Sequence, residues 1–271
     1  MLFRSGTSSG DGADVFTGFE NYILSGNADT ANLNVVHNGS IIDGGTGIDT
    51  ASYTNVTTAL TVTVNSGNTS AIVNDGTNSN TLKNIEKIIG GDGNDTFIVS
   101  NVAGINTLDG DGGNNTLELS GSLDLSNVTL LNFNNILIAN GDTLTLNAVN
   151  LDGKTMTIEL QGSGSLVIVG TTTATDFDFD NITINNTGAS QTGTTTLRLD
   201  ATVNLVGHNI NGTNNIIDKI LVNSGTVTLS ESQVTSGTVV VNGAGSTVVE
   251  VSSSSSANYS SILQLTTPAN E

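Results

Sequence analysis

Apolar and polar residues alternate along this chain in short runs, most of which stop at or near glycine, asparagine or aspartate. "TLTLNAVNL" (143–151), "KTMTIEL" (154–160), "SLVIVG" (165–170), "NITIN" (181–185) and "TTLRLDATVNLVG" (195–207) show the pattern, as do "KILV" (219–222), "GTVTL" (225–229) and "GTVVV" (237–241). Alternation of this period predicts strands with one face buried, and the breaks predict turns. The spacing varies too much for a strict repeat. Short strands of near-constant composition favour a β-solenoid, in which each coil buries its aliphatic side chains against the next. A β-sandwich fits less well, because few two-residue hairpin signals flank the strands.

In the first half the turns are richer in glycine and aspartate. Residues 90–98 read GGDGNDTFI, 44–52 read GGTGIDTAS, 9–17 read SGDGADVFT and 110–118 read GDGGNNTLE. The sixth positions are Asp95, Asp49, Asp14 and Asn115, and the eighth are Phe97, Ala51, Phe16 and Leu117, all apolar. Degenerate versions are read at 75–83 (DGTNSNTLK) and 101–109 (NVAGINTLD). The aspartates Asp14, Asp49 and Asp95 lie 35 and 46 residues apart, so the repeat is interrupted.

These nonapeptides resemble the RTX, or haemolysin-type calcium-binding, repeat family, whose motif is G-G-x-G-x-D followed by an apolar eighth residue. The resemblance covers roughly residues 9–120, and the copy at 90–98 matches every defined position. It implies a β-roll in which turns of neighbouring coils sandwich calcium ions. Carboxylate ligands would then come from Asp14, Asp49 and Asp95, with Asn115 as a weaker neutral ligand. Carbonyl ligands would come from the turns Gly44, Gly45 and Gly47, Gly90, Gly91 and Gly93, and Gly10 and Gly12. Asp11, Asp92 and Asp111 stand at carbonyl-donating positions, where their side chains add charge. Calcium takes six to eight oxygens in irregular geometry, which suits such turns. The competing reading is of ordinary Asx and glycine turns on a solvated face. The second half resembles bacterial surface-layer and large-adhesin segments by texture only.

Composition narrows the function classes. The formal net charge is −19, and the only basic residues are Arg4, Lys83, Lys87, Lys154, Arg198 and Lys219. They are too few and too scattered for a phosphate-binding face, which argues against nucleic acid and anionic membrane. No apolar run approaches the ~18 residues of a membrane span. Cysteine is absent, which removes disulfides and thiol chemistry. The start lacks an apolar signal region, so export is expected to use another signal, such as the uncleaved C-terminal signal of type I secretion.

Catalysis finds little support. "GTSSG" (6–10) matches a nucleophile pattern by chance, since no strand-turn-helix context surrounds it. His37 and His208 are the only histidines, and neither belongs to an H-E-x-x-H arrangement. "DFDFD" (176–180) would place Asp176, Asp178 and Asp180 on one face of a strand, with Phe177 and Phe179 on the other. A solvated face is the plainer reading there, against a lattice-contact cation site. Thr-x-Thr pairs such as Thr61/Thr63 and Thr143/Thr145 would suit ice binding if stacked, but they do not recur at one coil spacing.

The expectation is an all-β chain, a parallel β-solenoid (β-roll or β-helix) with calcium-binding Gly/Asp turns in its first half. Residues 1–120 would form the calcium-binding roll, 121–251 a solenoid without calcium motifs, and 252–271 a polar tail or linker. The expected function is non-enzymatic: a secreted, calcium-binding structural protein that self-assembles at or outside a bacterial surface, as filament or lattice. Cell-surface polysaccharide is a candidate partner. The alternatives are an accessory calcium module of an exported enzyme and, more remotely, an ice-binding solenoid.

Overall fold

A computed structural model describes residues 3–4, 14–15, 21–65, 71–170, 177–188, 191–210, 216–235, 238–242, 248–252 and 263–266, with backbone alone for 3–4, 14–15 and from 234 onward. The chain is all-β with almost no helix, and its strands stack in parallel as a β-solenoid. It divides into two compact units, residues 1–123 with 127–137 and residues 124–126 with 138–271.

In the first unit the chain shuttles between two sheets. The first face orders Asn21–Ile23, Ser40–Asp43, Ser79–Lys83, Ala71–Asn74, Thr61–Val64, Thr96–Val99 and Thr116–Leu119. The second orders Thr30–Asn32, Thr50–Ser52, Lys87–Ile89, Thr107–Asp109 and Thr129–Leu131. Pairing is in strict register, so inward positions form columns. Tyr22, Ile42, Leu82, Ala71, Val64, Val99 and Leu119 make one on the first face. Ala31, Ala51, Ile88, Leu108 and Leu130 make another on the second. All of these side chains are buried. The core is a thin aliphatic stack, reinforced where Phe97 meets Phe133 edge-to-face with ring centres 5.2 Å apart.

One feature escaped the sequence pattern. Strands Thr61–Val64, Ala71–Asn74 and Ser79–Lys83 form an antiparallel meander inserted into the first face. The strands Thr50–Ser52 and Lys87–Ile89 are direct neighbours on the second face, whereas three strands separate Ser40–Asp43 from Thr96–Val99 on the first. The stretch 75–83, read as a degenerate nonapeptide, begins as the meander's turn: Asp75 Oδ1 accepts the N–H groups of Thr77 (2.9 Å) and Asn78 (2.7 Å). Period-2 alternation is blind to strand direction, so a reversed strand keeps its apolar face inward and leaves no trace in the pattern.

In the second unit the ladder runs Thr143–Asn147, Ser165–Gly170, Thr194–Leu199, Lys219–Val222, Thr238–Asn242 and Leu263–Thr266, all parallel. The last strand lies in the stretch expected as a polar tail. Met156–Gln161 pairs with Ile182–Thr187, and Val203–Asn204 pairs with Thr226–Ser230, which pairs in turn with Val248–Ser252. Residues 177–180 of "DFDFD" are not a strand, yet Phe177 and Phe179 are buried, Asp178 is exposed and Asp180 is half-buried. Asp176 lies outside the described residues.

The inward column Leu144–Leu166–Thr195 contains a polar group without a partner. Thr195 is fully buried; its N–H donates to Asp218 Oδ2 at 2.8 Å, but its hydroxyl oxygen has no hydrogen bond. A buried unsatisfied hydroxyl costs about 1–3 kcal/mol. Valine has the same shape without that group. Thr195→Val is therefore expected to raise the melting temperature, and thermal unfolding followed by circular dichroism checks the sign.

Candidate cation-binding corners

The chain turns between the two faces at two opposite corners, and the glycine-aspartate motifs fall on both. Turn 44–49 follows a first-face strand and stacks between 24–29 and 84–86. Turns 90–95 and 110–115 follow second-face strands and stack on each other. Asp49 and Asp95 therefore occupy opposite corners, and no ion can join them. The odd sequence spacing has the same origin. Coils repeat every 20 residues at Asp29–Asp49 and at Asp95–Asn115.

At each corner the motif's sixth residue belongs to a ladder that climbs from coil to coil. Asp29 N–H donates to Asp49 Oδ1 (2.8 Å), and Asp49 N–H to Glu86 Oε2 (2.7 Å). Opposite, Leu60 N–H donates to Asp95 Oδ1 (2.7 Å), Asp95 N–H to Asn115 Oδ1 (2.8 Å), and Asn115 N–H to Asn134 Oδ1 (2.9 Å). Each side chain satisfies the backbone donor that a tight corner would leave unpaired. Asp49, Asp95 and Asn115 are buried to 1%, 1% and 0% exposure.

The glycines serve close stacking. A Cβ at Gly44 would overlap the Asn84 carbonyl, one at Gly91 the Val56 carbonyl, and one at Gly113 the Gly93 carbonyl. Cβ atoms at Gly45, Gly47 and Gly93 would press on Ser25, Asn27 and Thr58, while one at Gly90 would strike the Asp95 carboxylate. Glycine at these positions lets one turn lie directly on another.

The ladder side chains divide into two kinds. In Asp29 and Asp95 the second oxygen accepts the N–H four residues back, from Ser25 and Gly91, each at 2.7 Å. In Asp49 and Asn115 that N–H is diverted. Gly45 and Asp111 stand there with left-handed φ of 90° and 60°, and their N–H groups donate to Asp43 Oδ1 (3.2 Å) and Asp109 Oδ1 (2.9 Å). The same two carboxylates accept the side-chain amides of Asn84 and Asn132, both at 2.7 Å. Asn84 and Asn132 are themselves left-handed, a conformation asparagine tolerates. Asn115 completes its turn by donating Nδ2 to the carbonyls of Gly112 (2.8 Å) and Asn132 (3.0 Å). Asp49 has a carboxylate oxygen in that role, and its Oδ2 is buried without a partner.

Burial pushes the Asp49 carboxyl up to about 6; the Asp29 N–H opposes this, and the charges of Glu86, Asp29 and Asp43 add to it. Asp95 is also raised, by burial first, against the N–H groups of Gly91 and Leu60, with a contribution from Asp111. The charges that act on Asp49 come from the carboxylates of Glu86, Asp29 and Asp43, hard oxygen donors that suit calcium or magnesium rather than a softer metal. Among the described residues no three histidine, cysteine, aspartate or glutamate side chains converge on a metal position, so an ion beside Asp49 would rely on backbone carbonyls as well. The corner fits a cation on that footing. Asp95, with both oxygens served by N–H groups, fits one less well. Asp92 is exposed, and Asp111 is half-buried with its Oδ2 atom enclosed and unpartnered.

Asp14 lies in the strand Asp14–Val15, opposite Ala31 rather than opposite the corner residue Asp29. Gly10, Asp11 and Gly12 lie outside the described residues. Sequence reasoning missed Asp29, Asp43 and Glu86. Asp29 sits in SGNADT, twenty residues before GGTGIDT, and that spacing was the available signal.

A second acidic cluster lines a cleft of about 440 Å³ in the second unit, formed by Asp152, Asp178, Asp180, His208 and Asn209 among others. Its carboxylates are engaged within and between neighbouring turns: Asp152 Oδ1 accepts Asp178 N–H (2.9 Å), Asp178 Oδ1 accepts Asp180 N–H (3.0 Å), and Asp180 accepts the Asn209 amide. No family model, curated protein or solved structure matches the chain. Among the described residues, no helix is long and apolar enough to cross a membrane.

The raised carboxyls set a pH dependence. A folded-state pKa above the unfolded value of 3.8 means that the folded state holds its proton longer, so stability falls as pH rises through that window. In chelator and low salt, the Asp49 contribution is expected to decline between about pH 4 and about pH 6. Asp49→Asn should flatten that part of the profile, as measured by melting temperature against pH for both proteins.

Proposed function

We propose that this chain is an exported, calcium-binding structural solenoid that assembles with copies of itself at or outside a bacterial surface. The observation that carries the reading is the buried, unpartnered Oδ2 of Asp49, close enough to Asp29, Asp43 and Glu86 for their charges to act on it. A cation offsets that repulsion and gives the oxygen a partner. Binding then couples to folding, because the corner exists only when the coils are stacked. At free calcium a hundredfold above the dissociation constant, one site contributes about 2.7 kcal/mol, a large share of an ordinary domain's stability. Such a chain stays loose where calcium is scarce and folds after export.

Assembly draws support from the outer side of the first unit's first face. Ile41, Thr81, Ile72, Thr63 and Ile98 form one outward column in register, and Asn74, Thr61, Thr96 and Thr116 form the next. None of the nine is charged, in a chain of net charge −19, and Ile72 is 39% exposed. The first column continues to Glu118, and Asp43 pairs with Lys83 at the strand ends; the neutral stretch between them is where copies that otherwise repel can approach. Partial screening by calcium at the corners lowers the remaining barrier. Cell-surface polysaccharide is the second partner class such a flat threonine-rich face would suit.

Millimolar calcium should raise the melting temperature and EGTA should reverse it. Asp49→Ala should reduce the response more than Asp178→Ala, because Asp178 is exposed and its carboxylate accepts the Asp180 N–H two residues on. A melting temperature indifferent to both reagents defeats the calcium reading.

Light scattering and electron microscopy at rising calcium test assembly. Growing particles are expected, and Ile72→Glu combined with Ile98→Glu should suppress them. A folded protein that stays monomeric in millimolar calcium favours an accessory module of an exported enzyme.

A further inference from the structure

The turns ending at Asp49 and Asn115 are the same structure built twice with different chemistry. Asp43 and Asp109 each accept a diverted backbone N–H and an asparagine amide. Asn84 and Asn132 both cap the turn from the next coil with left-handed φ, 49° and 55°. The sixth residue's carbonyl accepts two successive N–H groups in each case, from Glu86 and Lys87 (3.1 and 3.0 Å) and from Asn134 and Asn135 (2.9 and 3.0 Å). The turns differ in charge: Asp49 and Glu86 in one corner stand against Asn115 and Asn134 in the other, and Gly45 stands against Asp111, whose Oδ2 is enclosed and unpartnered.

That pairing shows what the sixth side chain faces. Asn115 Oδ1 is fixed by Asp95 N–H, so its Nδ2 must point at carbonyl oxygens, those of Gly112 and Asn132 at 2.8 and 3.0 Å and that of Asp111 at 3.5 Å. Three carbonyls gathered around one amide nitrogen need a positive partner, and the partial charge of the N–H groups supplies it. In the Asp49 turn, Oδ1 is fixed by Asp29 N–H in the same way. A Cβ on Gly44 would touch both Asp49 Oδ2 and the Asn84 carbonyl, as one on Gly110 would touch both Asn115 Nδ2 and the Asn132 carbonyl. Oxygen therefore stands against oxygen where the sister turn sets nitrogen against oxygen.

We propose that Asn115 is a built-in substitute for a cation, so that the 110–115 corner closes without an ion while the 44–49 corner requires one. Glu86, which lies outside any nonapeptide, belongs to the cation-requiring corner, and in turns whose N–H four residues back is diverted, as at Gly45 and Asp111, the aspartate-or-asparagine choice at the sixth position decides whether an ion is needed. The inference rests on the calcium reading for its second half alone; the amide lock stands on hydrogen-bond geometry.

The experiment exchanges the two residues, Asp49→Asn and Asn115→Asp, and reads melting temperature in EGTA and in millimolar calcium, with calorimetric calcium titration. Asp49→Asn is expected to melt higher than wild type in EGTA and to lose most of the calcium-induced shift. Asn115→Asp should melt lower in EGTA, recover in calcium, and add one binding event. Glu86→Gln should weaken calcium affinity while leaving the fold's circular dichroism intact. If Asp49→Asn melts lower in EGTA, or if Asn115→Asp is unaffected there, the proposal falls. If Asp111→Asn abolishes the calcium shift, the ion sits at the other corner and the proposal falls equally. If wild type ignores calcium while both exchanges shift stability in EGTA as stated, the amide lock holds and the calcium reading alone fails.

Discussion

Everything in the first unit depends on one constraint: a turn must lie directly on the turn beneath it, and the backbone N–H at each corner must find an acceptor one coil away. Glycine provides the closeness, since a Cβ at Gly44, Gly91 or Gly113 would run into a neighbouring carbonyl. Aspartate, asparagine or glutamate provides the acceptor, as in the steps from Asp29 to Asp49 to Glu86. Strand register follows from this, because a corner held at a fixed step places Thr30 beside Thr50 and Ala31 beside Ala51. The core then closes mostly with aliphatic side chains, with Tyr22, Tyr53 and Phe97 among the large ones.

The same constraint explains what the sequence revealed and what it hid. Short alternating runs such as "SLVIVG" and "KILV" became strands at their expected places, because period-2 burial is a local property. The corner residues Asp49, Asp95 and Asn115 stood out, since glycine at a steric close approach leaves few substitutes. Their grouping did not. Two motifs that look like copies along the chain sit on opposite corners, and the partners that matter, Asn84 for Asp43 and Asn132 for Asp109, come from the following coil. The antiparallel meander was invisible for another reason, since reversing a strand leaves the parity of Val62, Val64, Ala71 and Val73 unchanged and all four remain buried.

A glycine-aspartate nonapeptide is therefore ambiguous in physical terms. A turn of this kind needs an acceptor for the neighbouring N–H and something to face its carbonyls. A carboxylate meets the first need everywhere. At Asp95 the second oxygen also takes the Gly91 N–H, and the side chain is satisfied by protein alone. At Asp49 the Gly45 N–H has turned away to Asp43, and the second oxygen is left buried with no donor. The difference lies in the φ of one residue, left-handed at Gly45 and not at Gly91. Whether such a turn calls for a cation is set by that backbone angle as much as by the aspartate.

Charge in the first unit is arranged so that its two proposed tasks do not compete. Asp29, Asp43, Asp49 and Glu86 stand at or beside a corner, whereas the outward column of the first face from Ile41 to Ile98 carries no charge and Glu118 follows Ile98 in register. Within ~8 Å at physiological salt a carboxylate field is still felt, so a corner left unneutralised would repel a second copy approaching the neutral face beside it. An ion at the corner removes that field without touching the face. The face in turn needs no charge of its own, because the ladders behind the corners already hold its strands in register. Folding and association would then respond to one variable, free calcium, through groups that never contact each other.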